Sequence, residues 1–162
     1  MMYSLYCARC GRDYDDDGRR LRCECGGMLD LRFEPSFRSG MTADRPHDQW
    51  RYREALPVGD DVVTMGEGWT PLLPVTFEGR QLLVKQEQLF PTGSYKDRGA
   101  AVLMTHLHEL GIERVVEDSS GNAGCAVAAY AARAGIGCDI YVPLDTSPAK
   151  TAQIEAYGAT LH

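Results

Sequence analysis

Arg114-Val115-Val116-Glu117-Asp118-Ser119-Ser120-Gly121-Asn122-Ala123-Gly124 sets an apolar, β-branched pair before a hydroxyl- and glycine-rich loop and the start of an alanine run. The first four residues predict a buried strand, and Asn122 to Ala134 a helix that stops at Gly135. Downstream, Asp139-Ile140-Tyr141-Val142 predicts the next strand. Ser147 (as N-cap) and Pro148 (at N1) open a last helix that ends at Gly158, and Ala159-Thr160-Leu161-His162 starts another strand. Upstream, a helix is expected from Lys96 to Leu110, closed by Gly111. The α-β-α-β-α order after residue 95 implies a parallel sheet covered by helices. Further upstream, Pro71–Val75 and Gln81–Lys85 read as two short strands around the turn Glu78-Gly79-Arg80.

The bulk properties narrow the function classes. The chain has 162 residues, 44% hydrophobic and 25% charged, which fits one folded unit with a small added module. A net charge of -6 and a pI near 5.2 disfavour nucleic-acid binding, which needs a basic face. No apolar run reaches the length of a membrane span. The start, Met1-Met2-Tyr3-Ser4-Leu5-Tyr6-Cys7, lacks the basic region and long apolar stretch of a secretory signal. A cytoplasmic location is expected, and there clustered cysteines bind metal more often than they form disulfides.

Four of the six cysteines are clustered: Cys7-x-x-Cys10, twelve residues, then Cys23-x-Cys25. Four thiolates suit tetrahedral Zn²⁺ and leave no open coordination position, so a structural site is expected. Gly11, Gly26 and Gly27 follow the pairs, and Asp17-Gly18 predicts a hairpin joining them. Residues 1–33 therefore read as a zinc ribbon, with disulfides or free thiols as the bland alternative. Its six arginines balance six acids. Residues 34–60 read as a linker that docks Trp50 and Tyr52 on an apolar surface, and 61–162 as an α/β unit. Cys125 and Cys138 are expected to be buried and inert.

Pro91-Thr92-Gly93-Ser94-Tyr95-Lys96-Asp97-Arg98-Gly99 delivers a lysine to the first turn of a helix. A primary amine there can condense with an aldehyde, and the helix N-terminus disfavours a second positive charge. By itself Lys96 also reads as a surface lysine. Ser119–Gly124 lies where α/β folds place ligands, with helix amides suited to a carboxylate, and by itself also reads as an ordinary helix cap.

Together the blocks resemble the fold-type II pyridoxal-phosphate enzymes, and within them the threonine synthases. Trp50-Arg51-Tyr52-Arg53-Glu54-Ala55-Leu56-Pro57, Gly66-Glu67-Gly68-Trp69-Thr70-Pro71-Leu72, Lys85–Gly99 and Ser119–Gly124 carry the match, in order. The N-terminal cysteines resemble a ribbon found in many members. Phe90, in place of the usual asparagine, and Tyr95, in place of phenylalanine, depart from the pattern. The resemblance implies a tryptophan synthase β-like parallel sheet, incomplete here and preceded by a zinc ribbon. It implies pyridoxal 5'-phosphate on Lys96, with Asn122 facing the cofactor's phenolic oxygen. It also implies an amino-acid carboxylate held by Ser119, Ser120, Gly121, Asn122 and Ala123. Cys7, Cys10, Cys23 and Cys25 would hold structural Zn²⁺.

The activity implied is a lyase step of threonine biosynthesis, O-phosphohomoserine and water giving threonine and phosphate. A small amino-acid substrate, no nucleic acid, no membrane and a homodimer of the full-length protein go with it. The family's later glycine-rich cofactor cradle has no counterpart here, so the chain is expected to be a fragment or half of a split protein, inactive alone. The alternatives are threonine dehydratase, cysteate synthase, diaminopropionate ammonia-lyase or a non-catalytic zinc-ribbon adaptor. Gly66-Glu67-Gly68 fails as a dinucleotide fingerprint, and Ser147-Pro148-Ala149-Lys150 lacks the companions of a serine–lysine site. His106 and His108 are expected to be exposed.

Overall fold

The computed structural model describes residues 3–162, except for the side chain of Ser39. Met1 and Met2, at the start of the segment read as lacking an export signal, lie outside the described residues. The central sheet is parallel, in the order β6-β7-β8, built from β6 (Arg114–Glu117), β7 (Gly137–Ile140) and β8 (Thr160–Leu161). Val115 pairs with Cys138, and Asp139 with Thr160. The connections run through α2 (Asn122–Ala134) and α3 (Pro148–Ala156), with α1 (Lys96–Glu109) packed on α2. This is the expected α/β alternation. Gly111, Gly135 and Gly158 lie just beyond their helices with φ of 69°, 72° and 83°, a region that side-chain-bearing residues rarely enter.

Helix α2 is the centre of the core. Gly124 through Ala131 are all buried, because α1 covers one side and the sheet and α3 the others. A helix buried all round must be apolar all round, and alanine allows close approach. Met104, Tyr130, Ile140 and Ile154 fill the remaining space. Cys125 and Cys138 are buried here as expected, and burial pushes the Cys138 thiol up to about 11.

Glu67 lies fully buried under α2. It accepts hydrogen bonds from Trp50 Nε1 at 2.6 Å, Tyr130 Oη at 2.8 Å, the Met65 amide at 2.9 Å and Thr64 Oγ1 at 3.1 Å. The tryptophan thus fastens the 3-10 turn Gln49–Ala55 to the core. Gly68, at φ 117°, lets the chain pass the Gln49 backbone, where a Cβ would lie 2.4 Å from nitrogen.

Two short sheets complete the fold. The antiparallel pair β4 (Leu72–Phe77) and β5 (Arg80–Lys85) turns through Glu78-Gly79, and both turn residues have positive φ. Leu72, Leu73, Phe77, Leu82, Leu83 and Val84 of this pair are exposed. The N-terminal sheet has the order β2-β1-β3, from β1 (Tyr3–Cys7), β2 (Asp13–Tyr14) and β3 (Leu29–Phe33).

Several expectations need correction. Asp17-Gly18 does not close a hairpin. The hairpin of this sheet turns at Cys7–Gly11, between β1 and β2. The Asp16 and Asp17 carboxylates accept from the Gly18, Arg19 and Arg20 amides, a local loop that competes with strand pairing. Gly18 rests on the end of α1, where a Cβ would meet Leu110 at 3.1 Å and Ile112 at 3.2 Å.

His106 is not exposed. Its Nδ1 lies 2.9 Å from Tyr3 Oη and its Nε2 2.9 Å from Asp16, so it ties the N-terminal sheet to α1. Burial, then the nearby Asp16, pushes the Tyr3 hydroxyl up to about 12. Strand β6 is an edge strand rather than a buried one, with Val116 66% exposed, and β7 starts two residues before the predicted strand. Trp50 is docked as expected, but Tyr52 stays 41% exposed, edge-on to Phe37. No helix among the described residues is long and apolar enough to cross a membrane.

Candidate functional site

Lys96 is the first residue of α1, and Asn122 the first of α2. Neither N-cap residue, Tyr95 or Gly121, caps its helix with a side chain, but the first amide of α1, that of Lys96, donates to Ser94 Oγ at 3.3 Å. Lys96 is half-buried, with its Nζ 5.1 Å from the centre of the Tyr95 ring. Its charge also reaches Glu117, at the C-terminal end of β6, where it opposes the upward shift that burial imposes on that carboxyl. The Ser119–Asn122 loop leaves the sheet two residues later.

The loop is held tightly. A Cβ on Gly124 would lie 2.1 Å from the Ser119 carbonyl oxygen, so only glycine allows the first turn of α2 to sit against the loop. Ser119 Oγ accepts from the Gly121 amide at 3.3 Å. Ser119, Ser120, Gly121 and Ala123 are half-buried and Asn122 is exposed, so the loop presents hydroxyls, amides and one carboxamide at the sheet edge.

A relay of hydrogen bonds joins the two helix starts. Lys150 Nζ donates to Asn122 Oδ1 at 2.7 Å and to Gln153 Oε1 at 3.4 Å. Gln153 Nε2 donates to the Thr92 carbonyl at 3.1 Å. The Thr92 amide and hydroxyl both donate to Asp97, the neighbour of Lys96. Asp97 is fully buried. Burial raises its pKa and the Thr92 donors oppose that rise. Arg98 and Glu87 form a two-pronged pair at 2.8 and 3.0 Å beside them.

Thr92, Lys150 and Gln153 are absent from the candidate residues named from sequence. In sequence, Ser147-x-x-Lys150 resembles a serine–lysine pair, but its serine opens α3. The usable signal was Lys150 and Gln153 at i, i+3, which places both side chains on one helix face.

Two concavities lie elsewhere. One of about 640 Å³ runs between Leu31, Tyr52, Leu56 and the Val102–Leu103 face of α1. Another of about 420 Å³ lies between Tyr3, Val58 and Leu110. Neither includes Lys96 or Asn122.

The four N-terminal cysteines converge, with their sulfurs all within 4.8 Å of one another, a set that could hold a metal ion. The Arg9 and Cys10 amides point at Cys7 Sγ at 3.4 Å, and Tyr14 Oη lies 3.0 Å from Cys23 Sγ. That hydroxyl, followed by the Cys25 amide, brings the Cys23 thiol down to about 6. Gly27 makes room, since a Cβ there would lie 2.7 Å from Cys7 Sγ.

Residues 63–162 match the family model described as pyridoxal-phosphate dependent enzyme. The chain is 38% identical to the threonine synthase of Methanocaldococcus jannaschii, over 94% of this chain and 41% of that protein. It is 41% identical to that of Mycobacterium tuberculosis, over 71% of this chain and 35% of that protein. Among solved structures, serine racemase from Dictyostelium discoideum superposes with a TM-score of 0.52 at 36% identity, over 57% of this chain and 32% of that one. O-ureido-L-serine synthase gives a TM-score of 0.53 at 30% identity, over 57% of this chain and 32% of that one. The chain spans about two fifths of the length of the first of these relatives. From the matched segment and the fold, the chain belongs to the pyridoxal-phosphate dependent enzyme family.

Proposed function

We propose that this chain is the lysine-bearing part of a threonine synthase, acting on O-phosphohomoserine and water to give threonine and phosphate. The observation that carries the reading is the relay from Asn122 through Lys150, Gln153 and Thr92 to Asp97, which ties the asparagine loop to the lysine helix. The donor set suits the cofactor: a primary amine at a helix start, a carboxamide and a row of helix amides along one edge.

When bound, pyridoxal phosphate supplies an electron sink for charge developing on the substrate's carbons. The chain's own residues do the rest. Lys96 would provide the amine that holds the aldehyde and would carry protons at the α- and β-carbons of the substrate. Asn122 offers its carboxamide to the cofactor's phenolic oxygen. Ser119, Ser120 and the amides of Gly121, Asn122 and Ala123 hold the substrate carboxylate, favoured by the positive end of α2.

Residues 1–33 form a zinc ribbon in this reading, 34–60 a docking segment, and 61–162 the N-terminal part of the catalytic unit. Cys7, Cys10, Cys23 and Cys25 hold structural Zn²⁺. The protein works in the cytoplasm, as a homodimer when full length. The test is to supply O-phosphohomoserine and pyridoxal phosphate to the full-length protein and follow threonine and inorganic phosphate. Release of both in equal amounts supports the reading. A second reading, a related fold-type II enzyme, is favoured by the likeness to serine racemase and O-ureido-L-serine synthase. Supplied with serine or threonine instead, racemisation, or release of ammonia and ketoacid, would select it.

A further inference from the structure

We infer that Lys150 is a positioning residue that fixes which end of the Asn122 carboxamide faces the cofactor. The inference rests on the cofactor reading above. An ammonium only donates, so the group it meets at 2.7 Å must be the Asn122 oxygen. The opposite orientation would set NH₂ against NH₃⁺. Pinning Oδ1 leaves Nδ2, which has no partner among the described residues, as the end available to an acceptor. A phenolic oxygen accepts hydrogen bonds, so it needs that end. Without Lys150 the amide can turn over and present its acceptor instead.

The anchor is itself built in. Lys150 is the third residue of α3, after Pro148 at N1, and the Lys150 and Thr151 amides both bond the Ser147 carbonyl, which sets the helix start. Three residues on, Gln153 accepts from Lys150 and donates to the Thr92 carbonyl. Thr92 in turn holds Asp97, next to Lys96. Helix α3 therefore orients the asparagine and holds the lysine loop in register with it.

Borohydride trapping of pyridoxal phosphate in the full-length protein is assigned by peptide mapping, Lys85, Lys96 and Lys150 being the lysines of this chain. Two quantities are measured on wild type, Lys150→Met and Lys150→Arg. The first is the NMR signal of the Asn122 side-chain amide without cofactor. The second is the pyridoxal-phosphate concentration giving half-maximal trapping at Lys96. Lys150→Met is expected to move the amide signal and raise that concentration about tenfold, the effect of one charge-assisted hydrogen bond. Lys150→Arg, which keeps the charge and donors, restores both. An unmoved amide signal, or unchanged trapping, in Lys150→Met overturns the role of Lys150. If wild type traps cofactor at Lys96 no better than at Lys85, the cofactor reading falls and takes this inference with it.

Discussion

Replacing Glu67 by glutamine tests the core that supports the site. The carboxylate is fully buried and its two oxygens divide the donors: Trp50 Nε1 bonds Oε1, Tyr130 Oη and the Met65 amide bond Oε2, and Thr64 Oγ1 reaches both. Glutamine keeps the shape but turns one oxygen into a donor. With nitrogen at the Oε1 position, the Trp50 N–H faces another N–H; with nitrogen at Oε2, the Tyr130 hydroxyl and the Met65 amide lose their acceptor. Either way at least one buried donor is orphaned, at about 1–3 kcal/mol, and the surviving bonds lose their charge assistance. The expected loss is about 3 kcal/mol, or roughly 6–12 °C in melting temperature for a chain of this size.

Urea unfolding followed by tryptophan fluorescence measures it, since Trp50 touches the substituted group. Tyr130→Phe removes a single donor and should cost about 1–2 kcal/mol. The double variant should then cost less than the two single variants together. A Glu67→Gln protein within about 0.5 kcal/mol of wild type would refute the reasoning, because surface substitutions are that mild. So would strict additivity with Tyr130→Phe.

Other outcomes follow from single contacts. Gly124→Ala puts a methyl group 2.1 Å from the Ser119 carbonyl and should destabilise by about 2–3 kcal/mol while freeing the Ser119–Gly121 amides, which hydrogen exchange would show. Cys23→Ser, or a strong chelator, should melt the N-terminal sheet and make the remaining cluster thiols reactive, while Cys125 and Cys138, buried in the core, stay protected. The Arg45 guanidinium, bonded to Glu54 at 2.5 and 2.6 Å, holds that carboxyl down to about 2 against an ordinary 4.5. The unfolded state binds the extra proton between those values, so this stabilisation is present above pH 4.5 and is lost as pH falls toward 2. Glu54→Gln should flatten the acid limb of the denaturation midpoint against pH.

Much of the fold could be read because local chemistry decides it. Gly111, Gly135 and Gly158 stop helices by the one backbone region they alone enter freely, and Glu78-Gly79 turns its hairpin the same way. The misreadings came from contacts between distant residues. Asp17-Gly18 has the composition of a hairpin turn, but it meets Leu110 and Ile112, which lie about ninety residues later. His106 looked like a solvent-facing helix residue until Tyr3 and Asp16 closed on it. Val115-Val116 reads as a buried pair, yet the pleat sends the two to opposite faces, and Val115 is half-buried while Val116 is exposed. At the site, the residue types at Lys96 and Asn122 mark their chemistry. The Lys150–Asn122 bond depends on how α3 returns to the sheet edge, and spacing along the chain does not encode that.

The central claim concerns one amine, and peptide mapping after borohydride reduction in pyridoxal phosphate tests it most directly. The account predicts the cofactor on the peptide containing Lys96, competed off by phosphate-bearing amino acid and absent in Lys96→Ala. Equal labelling of Lys85, Lys96 and Lys150, or unchanged total labelling in Lys96→Ala, would contradict it.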